Sequence, residues 1–363
     1  MTDFRPDWVS PPGDTIADLL DEKNWTQREL ASRMGVSKKH INDLVRGKAT
    51  LSPKVAVSLA TVLGGDEAFW LEREAQYRAA VAHQDHIKTL SAHGDWLKRF
   101  PVAWMANQGW IPKRSKRGEK VYEMLRYFGV ASVQAYQQHP FERAAAFRAS
   151  GVTDDHDGKV AVWLRQAGIQ AEAIDTRPFD AHALEEVLPE LRSLTTEPDI
   201  QVFWPQVQRL CARVGVAVVL VPHPPGCPVY GVTLWPQMDK AVVALSMRYK
   251  SDHQLWFSFF HELGHVLLHR GERFIETKHG EDTPQEQEAN TFAGELLIPS
   301  HRWVSLPALK SEASVRAFAQ RIGVAPGIVV GRLQRDGHVP HTHLNGLVQR
   351  YEWVAEGDDS AGA

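Results

Sequence analysis

The sequence is poor in every feature that would place it outside a reducing cell interior. Of 363 residues only two are cysteine, Cys211 and Cys227. They form neither a CxxC pair nor a disulfide framework, which excludes a disulfide-stapled secreted domain and fits a reducing cytosol. Long apolar runs are missing. The longest, VGVAVVLV at Val214–Val221, is too short to cross a bilayer, and MTDFRPDWVSPPGD at the N-terminus has neither the basic nor the apolar region of a secretion signal. Charge of one sign is scarce as well. With a net charge of -3 and 23% charged residues, no overall field draws the chain to nucleic acid or membrane, so any such preference has to be local. Internal repeats and low-complexity tracts are absent. The expectation is a cytoplasmic globular chain of two or three domains, and a content of 43% hydrophobic residues suffices for a large core.

Short helical segments follow SPPGD to about Ala82, with stop signals at Gly35, Gly47 and Gly64. From about His83 to Thr196 the periodicity weakens. Helical pieces such as GEKVYEMLRYFG and DGKVAVWLRQAG are separated by loops such as GVTDDHDG, so a helical connector is expected. The period then changes, because VGVAVVLVP, VYGVTLW and KAVVALS are β-branched runs of strand length bounded by Pro and Gly. After this small sheet come the helix WFSFFHELGHVLLH, a polar stretch RFIETKHGEDTPQ, the helix EQEANTFAGELL and a helical C-terminal region. The fold class is multidomain and mainly α with a small β-sheet: an all-α domain at 1–82, a helical connector at 83–196 and an α/β domain at 197–363.

The first helices have the layout of a helix-turn-helix with a supporting fourth helix. Thr26 with Glu29 reads as a capping box, Ser37 caps the next helix, and Ser52 followed by Pro53 caps the one after. Leu30, Met34, Val36, Ile41, Leu44 and Val45 supply the seam between the two central helices. Between Thr26 and Lys54 seven Lys/Arg stand against two acids, a local net of +5 in a slightly acidic chain. Such a unit would lay its second helix in the major groove of DNA, with Lys38, Lys39, His40 and Asn42 near base edges and Gln27, Arg46 and Lys48 near the backbone. A second basic element, WIPKRSKRGEK, reads as a solvated loop.

In HELGH, His261 and His265 lie one helical turn apart on one face, so both imidazoles reach a single metal ion. Glu262 points about 100° away, which suits it to act on a water as a general base. A third ligand is needed. His269 lies about 12 Å from His261 along the axis, too far to share one shell, and is expected to cap the helix, support a ligand or be simply buried. Glu272, Glu276 and His279 read as solvated loop residues. On EQEANTFAGELL the apolar face centres nearer Glu286 than Glu288, by about 60° against about 100°. Angular placement therefore favours Glu286 and leaves Glu288 as the alternative. Asn290, one turn after Glu286, can orient a ligand histidine.

GVSKKHINDLVRGKATLSPKVAVSLATVLG followed by FWLEREAQY resembles the XRE-type helix-turn-helix family, and within it the antitoxin branch, over about Pro12–Tyr77. The resemblance implies a DNA-binding module that works as a homodimer on a palindromic operator, and it brings a toxin partner into view. WFSFFHELGHVLLH, EQEANTFAGELLIP and FAQRIGVAPGIVVGRLQRDG resemble the ImmA/IrrE family of zinc metallopeptidases over about Gln201–Trp353, with LLIP where LLMP is more usual. This resemblance implies a zincin-like domain binding one Zn2+ through His261, His265 and Glu286, with Glu262 as catalytic base. Together they imply a stress-responsive zinc endopeptidase with a DNA-binding domain that cuts a repressor-type protein or itself. The contrasting expectation is a DNA-binding regulator or antitoxin whose zinc domain is a sensor or partner platform. A purely structural metal is the third.

Overall fold

A computed structural model describes residues 10–138, 154–246, 248, 250–277 and 283–352. The chain divides into two compact units, Met1–Asp95 with Arg114–Tyr122, and Trp96–Lys113 with Glu123–Ala363. His279 and the first part of GVTDDHDG lie outside the described residues.

In the first unit α1 (Pro12–Glu22), α2 (Gln27–Met34), α3 (Lys38–Val45) and α4 (Pro53–Leu63) are short because each has a start and a stop written into it. The hydroxyls of Thr26, Ser37 and Ser52 accept from the amides of Glu29, His40 and Val55, satisfying donors the helix cannot. Gly35 ends α2 at a left-handed φ of 64°. One detail departs from expectation: Glu29 does not complete a capping box but turns to Arg33 at 2.8 Å, the i,i+4 partner across one turn. Leu30, Ile41 and Leu44 are buried with Ile16, Leu59 and Trp70, while Met34, Val36 and Val45 pack against them. The fifth helix, α5 (Glu67–Leu90), runs unbroken through the expected boundary at 82. Arg78 on α5 donates to the carbonyls of Gly47 and Ala49, tying down the turn that follows α3.

The other unit begins with helices α6 (Val102–Asn107) and the end of α7 (Arg117–Phe128), then α8 (Val133–Gln138), α9 (Asp154–Glu172), α10 (Ala181–Ser193) and α11 (Ile200–Ala212). Its sheet contains β1 (Val216–Leu220), β2 (Val229–Gln237), β3 (Lys240–Leu245) and β4 (Phe274–Thr277) in the order β1-β3-β2-β4. β1 pairs parallel with β3; the β2–β3 and β2–β4 pairs are antiparallel. Val216, Val218, Ala241, Val243 and Leu245 point into one core with α10 and α11. The alternate residues Ala217, Val219, Val242 and Ala244 are also buried; they face the opposite side, and α9 packs on β1 and β3. That double cover explains why β1 is apolar throughout. Within the stretch expected as a helical connector, α9 and α10 pack in this unit. GVTDDHDG is helical from Asp154, and β4 occupies the stretch expected to be only polar connector.

The remaining helices are α12 (Asp252–Leu268), which carries HELGH, α13 (Pro284–Leu297), α14 (Glu312–Ile322) and α15 (Pro326–Arg335). A Cβ on Gly264 would stand 3.2 Å from both Ala289 Cα and Phe292 Cδ1 of α13. Glycine there, with the small Ala289 and Ala293 opposite, lets α12 and α13 approach closely enough to share a site. Among the described residues no helix is long and apolar enough to cross a membrane.

Candidate metal centre and nucleic-acid interface

The HELGH helix is buried on nearly every side: His261, Glu262 and His265 are all within 1% of full burial. Burying three ionisable groups is costly unless they are paired, and α13 supplies the partner. Thr283 caps α13 by accepting from the Glu286 amide, which fixes Glu286 in the first turn. TPQE reads as a capping box, yet the Glu286 carboxylate goes elsewhere: Oε2 lies 3.1 Å from His261 Nε2 and Oε1 3.5 Å from His265 Nε2. The two Nε2 atoms are themselves 3.0 Å apart. His261 Nδ1 lies 3.2 Å from Asn290 Oδ1, one turn farther along α13.

Glu288 does not reach this group. Its Oε2 is 2.8 Å from His269 Nε2, and His269 Nδ1 is 3.1 Å from His265 Nδ1. The ring of Phe274 on β4 stacks on His265 at 3.9 Å between centroids. Two residues on, Glu276 is not the solvated loop residue expected. Its carboxylate is enclosed and takes a hydrogen bond from Ser258 on α12. The period-two spacing of Phe274 and Glu276 was the available signal, but four residues are too few for a strand pattern to stand out.

Electrostatics follow from burial and proximity. Burial disfavours the His261 imidazolium, but Glu286 bonded to it, with Glu276 and Glu262 nearby, lifts its pKa to about 9. Burial also works against the Glu286 carboxylate, yet bonds to His261 and His265 hold it down at about 2. His265 is pushed down by burial. Glu262 is raised to about 8, chiefly by burial. Its Oε2 accepts from the Thr233 hydroxyl of β2 at 2.6 Å, while Oε1 is buried without a partner. Thr233 was not foreseen, because nothing in VYGVTLW says which residue will lie beneath the glutamate.

One ligand atom from each of His261, His265 and Glu286 falls within 4.8 Å of the others, the arrangement of a group able to hold a metal ion. Two imidazoles and a carboxylate are a donor set zinc takes in catalytic sites. The lone pairs that converge here are those a cation would take, so the residues fit. Immediately upstream on α12, Phe257 and Ser258 border a cavity of about 550 Å³, also lined by Tyr230, Glu276, Ile328 and Arg335. The segment SVRAFAQRIGVAPGIVVGRL supplies part of this wall through α15.

On the N-terminal unit the structure places Lys38, Lys39, Arg46 and Lys48 in solvent and leaves Gln27, His40 and Asn42 half-buried at the edge of the same surface. Asn42 Nδ2 is 3.5 Å from Gln27 Oε1, linking the starts of α2 and α3. Lys113, Arg114, Lys116 and Arg117 of the second basic element are exposed.

Residues 16–70 match the helix-turn-helix family, and residues 213–334 match the M78 peptidase family, described as IrrE N-terminal-like domain. The chain is thus a helix-turn-helix regulator fused to a domain of the IrrE-like peptidase family. Its DNA-binding domain is 36% identical over 73 residues to YddM of Escherichia coli strain K12, described as an uncharacterized HTH-type transcriptional regulator; the match spans 20% of this chain and 78% of that one. A crystal structure of an antidote protein of a plasmid maintenance system from Nostoc punctiforme shares 29% identity, covering 22% of this chain and 91% of that one, with a TM-score of 0.22. HELGH and EQEANTFAGELL both fall inside the IrrE-like domain.

Proposed function

We propose that this chain is a zinc-dependent endopeptidase that responds to stress, cutting a repressor-type protein, or itself, at a narrow site while its DNA-binding domain engages an operator. The reading is carried by the convergence of His261 Nε2, His265 Nε2 and Glu286 on one point. These three would hold the ion, and Asn290 would orient His261. When bound, such an ion acidifies water and polarises a carbonyl. Glu262 is the base: Thr233 holds Oε2, which leaves Oε1 to take a proton and later return it to the departing amine. Burial brings its pKa into the range where both transfers are easy near neutrality.

Substrate access follows from the sheet. β4 pairs only with β2 among the described strands, so an extended peptide could add along its outer edge with side chains in the neighbouring cavity. Peptidase chemistry is placed within 197–363 and DNA binding within 1–82, with the helices of 83–196 separating them in sequence. In the latter domain Lys38, Lys39, His40 and Asn42 read base edges and Gln27, Arg46 and Lys48 hold phosphates of a palindromic operator bound by a homodimer. An antitoxin-like domain also fits a toxin partner.

Replacing Glu262 with Gln removes the proton acceptor but none of the three metal-facing groups. Incubation of the zinc-loaded full chain, followed for self-cleavage and for cleavage of a co-incubated helix-turn-helix repressor, should give fragments that Glu262→Gln lacks at equal zinc content. Fragments persisting in that variant would sink the mechanism. Operator binding without cleavage under any trigger would favour a regulator whose metal domain is a sensor.

A further inference from the structure

His269 is buried at the end of α12, yet it bridges a metal-facing histidine to a surface carboxylate. The hydrogen bonds along this chain of groups share one consistent direction. A carboxylate only accepts, so His269 Nε2, 2.8 Å from Glu288, carries a hydrogen. The tautomer with that hydrogen on Nε2 has its lone pair on Nδ1, where it only accepts. His265 Nδ1, at 3.1 Å, is the donor that matches it, which directs the Nε2 lone pair of His265 to a metal ion. That Nε2 faces His261 Nε2 and Glu286.

We infer that His269 and Glu288 are positioning residues that hold His265 as its Nδ1–H tautomer and so present the Nε2 lone pair to the metal site. The inference rests on reading His261, His265 and Glu286 as that site. The two metal-facing histidines are then steadied differently: His261 from α13 through an amide oxygen, and His265 from its own helix end through a second imidazole. Glu288, placed beside Glu286 in sequence, supports the site from outside it. Phe274 closes the remaining face of His265 by stacking, so neither ring orientation nor tautomer is left to solvent.

The test uses the full chain and Zn2+ in competition with a chromophoric chelator, comparing wild type, His269→Leu, His269→Gln, Glu288→Ala and Glu286→Ala. His269→Leu should weaken zinc binding roughly 10- to 100-fold, the usual cost of losing such support. His269→Gln should recover most of this, because its amide oxygen accepts from His265 and its NH2 donates to Glu288. Glu288→Ala, a change at a side chain 62% exposed, should weaken binding in the same direction and serves if His269→Leu fails to fold. In the zinc-free chain, 15N spectra of labelled histidine should show His265 protonated on Nδ1 in wild type and shifting towards Nε2–H in His269→Leu. Unchanged affinity and tautomer in the folded variants would overturn the inference. A wild type that binds zinc no better than Glu286→Ala would instead overturn the metal reading, and the tautomer measurement would still judge the role of His269.

Discussion

Thr233→Val deletes one hydroxyl and keeps the side-chain shape. In the folded chain that hydroxyl donates to Glu262 Oε2 at 2.6 Å from a fully buried position. A hydrogen bond to an ionised group contributes about 1.5–3 kcal/mol, and it favours the charged form of the carboxyl. Burial pushes Glu262 up to about 8 and Thr233 pulls the other way. Removing the pull should therefore raise the pKa further, by one to two pH units at about 1.4 kcal/mol each. A general base works only when ionised, so the acid limb of the cleavage profile should move to higher pH by that amount. Activity near pH 7 should fall on the order of 10- to 100-fold and recover as the pH is raised. Cleavage rate against pH, measured with zinc content and melting temperature for both proteins, checks this. An acid limb that stays in place, in a variant that holds zinc and folds normally, would refute the role given to Glu262 and Thr233 together.

Gly231→Ala would put a Cβ 2.4 Å from Glu262 Oε1; the carboxylate should swing away, lowering cleavage about 100-fold or more while zinc remains bound, and full activity would count against the proposed base. Arg192 on α10 donates to the carbonyls of Leu296 and Leu297 at the end of α13 and of Ile322 and Gly323 at the end of α14. Arg192→Met, which keeps the stem but loses every donor, should cost about 3 kcal/mol in denaturant unfolding, and a loss below about 0.5 kcal/mol would show that water replaces the guanidinium without penalty. On operator DNA, Asn42→Ala should relax sequence preference by about 1–3 kcal/mol, whereas Lys48→Ala should weaken all sequences alike and reduce the salt slope by about one; fluorescence anisotropy over a salt series separates the two.

The N-terminal unit was legible because its determinants are local. Ser37, Ser52 and Thr26 cap the helices that follow them, Gly35 stops α2, and the apolar seam repeats at helical spacing. Each depends on residues within about two turns of itself. Where a local rule had competition it failed: Glu29 had both the Thr26 amide and Arg33 in reach, and the ion pair won. The long α5 also runs on past the point where its apolar pattern fades, since nothing there breaks a helix.

In the other unit the five residues of HELGH determined that two imidazoles share a face and that a glutamate stands aside, because helical geometry alone imposes it. The angular position of Glu286 on the following helix was enough to rank it above Glu288. What the tertiary structure decided is everything carried by another element: that Thr233 of β2 lies under Glu262, that Phe274 and Glu276 of a four-residue strand close the site, and that His269 turns Glu288 into a partner. Those contacts join residues tens of positions apart through the close packing of α12 on α13 and on the sheet. No periodicity within either segment encodes them, because a spacing specifies which face a side chain occupies, while the neighbour across that face is set by how the elements pack.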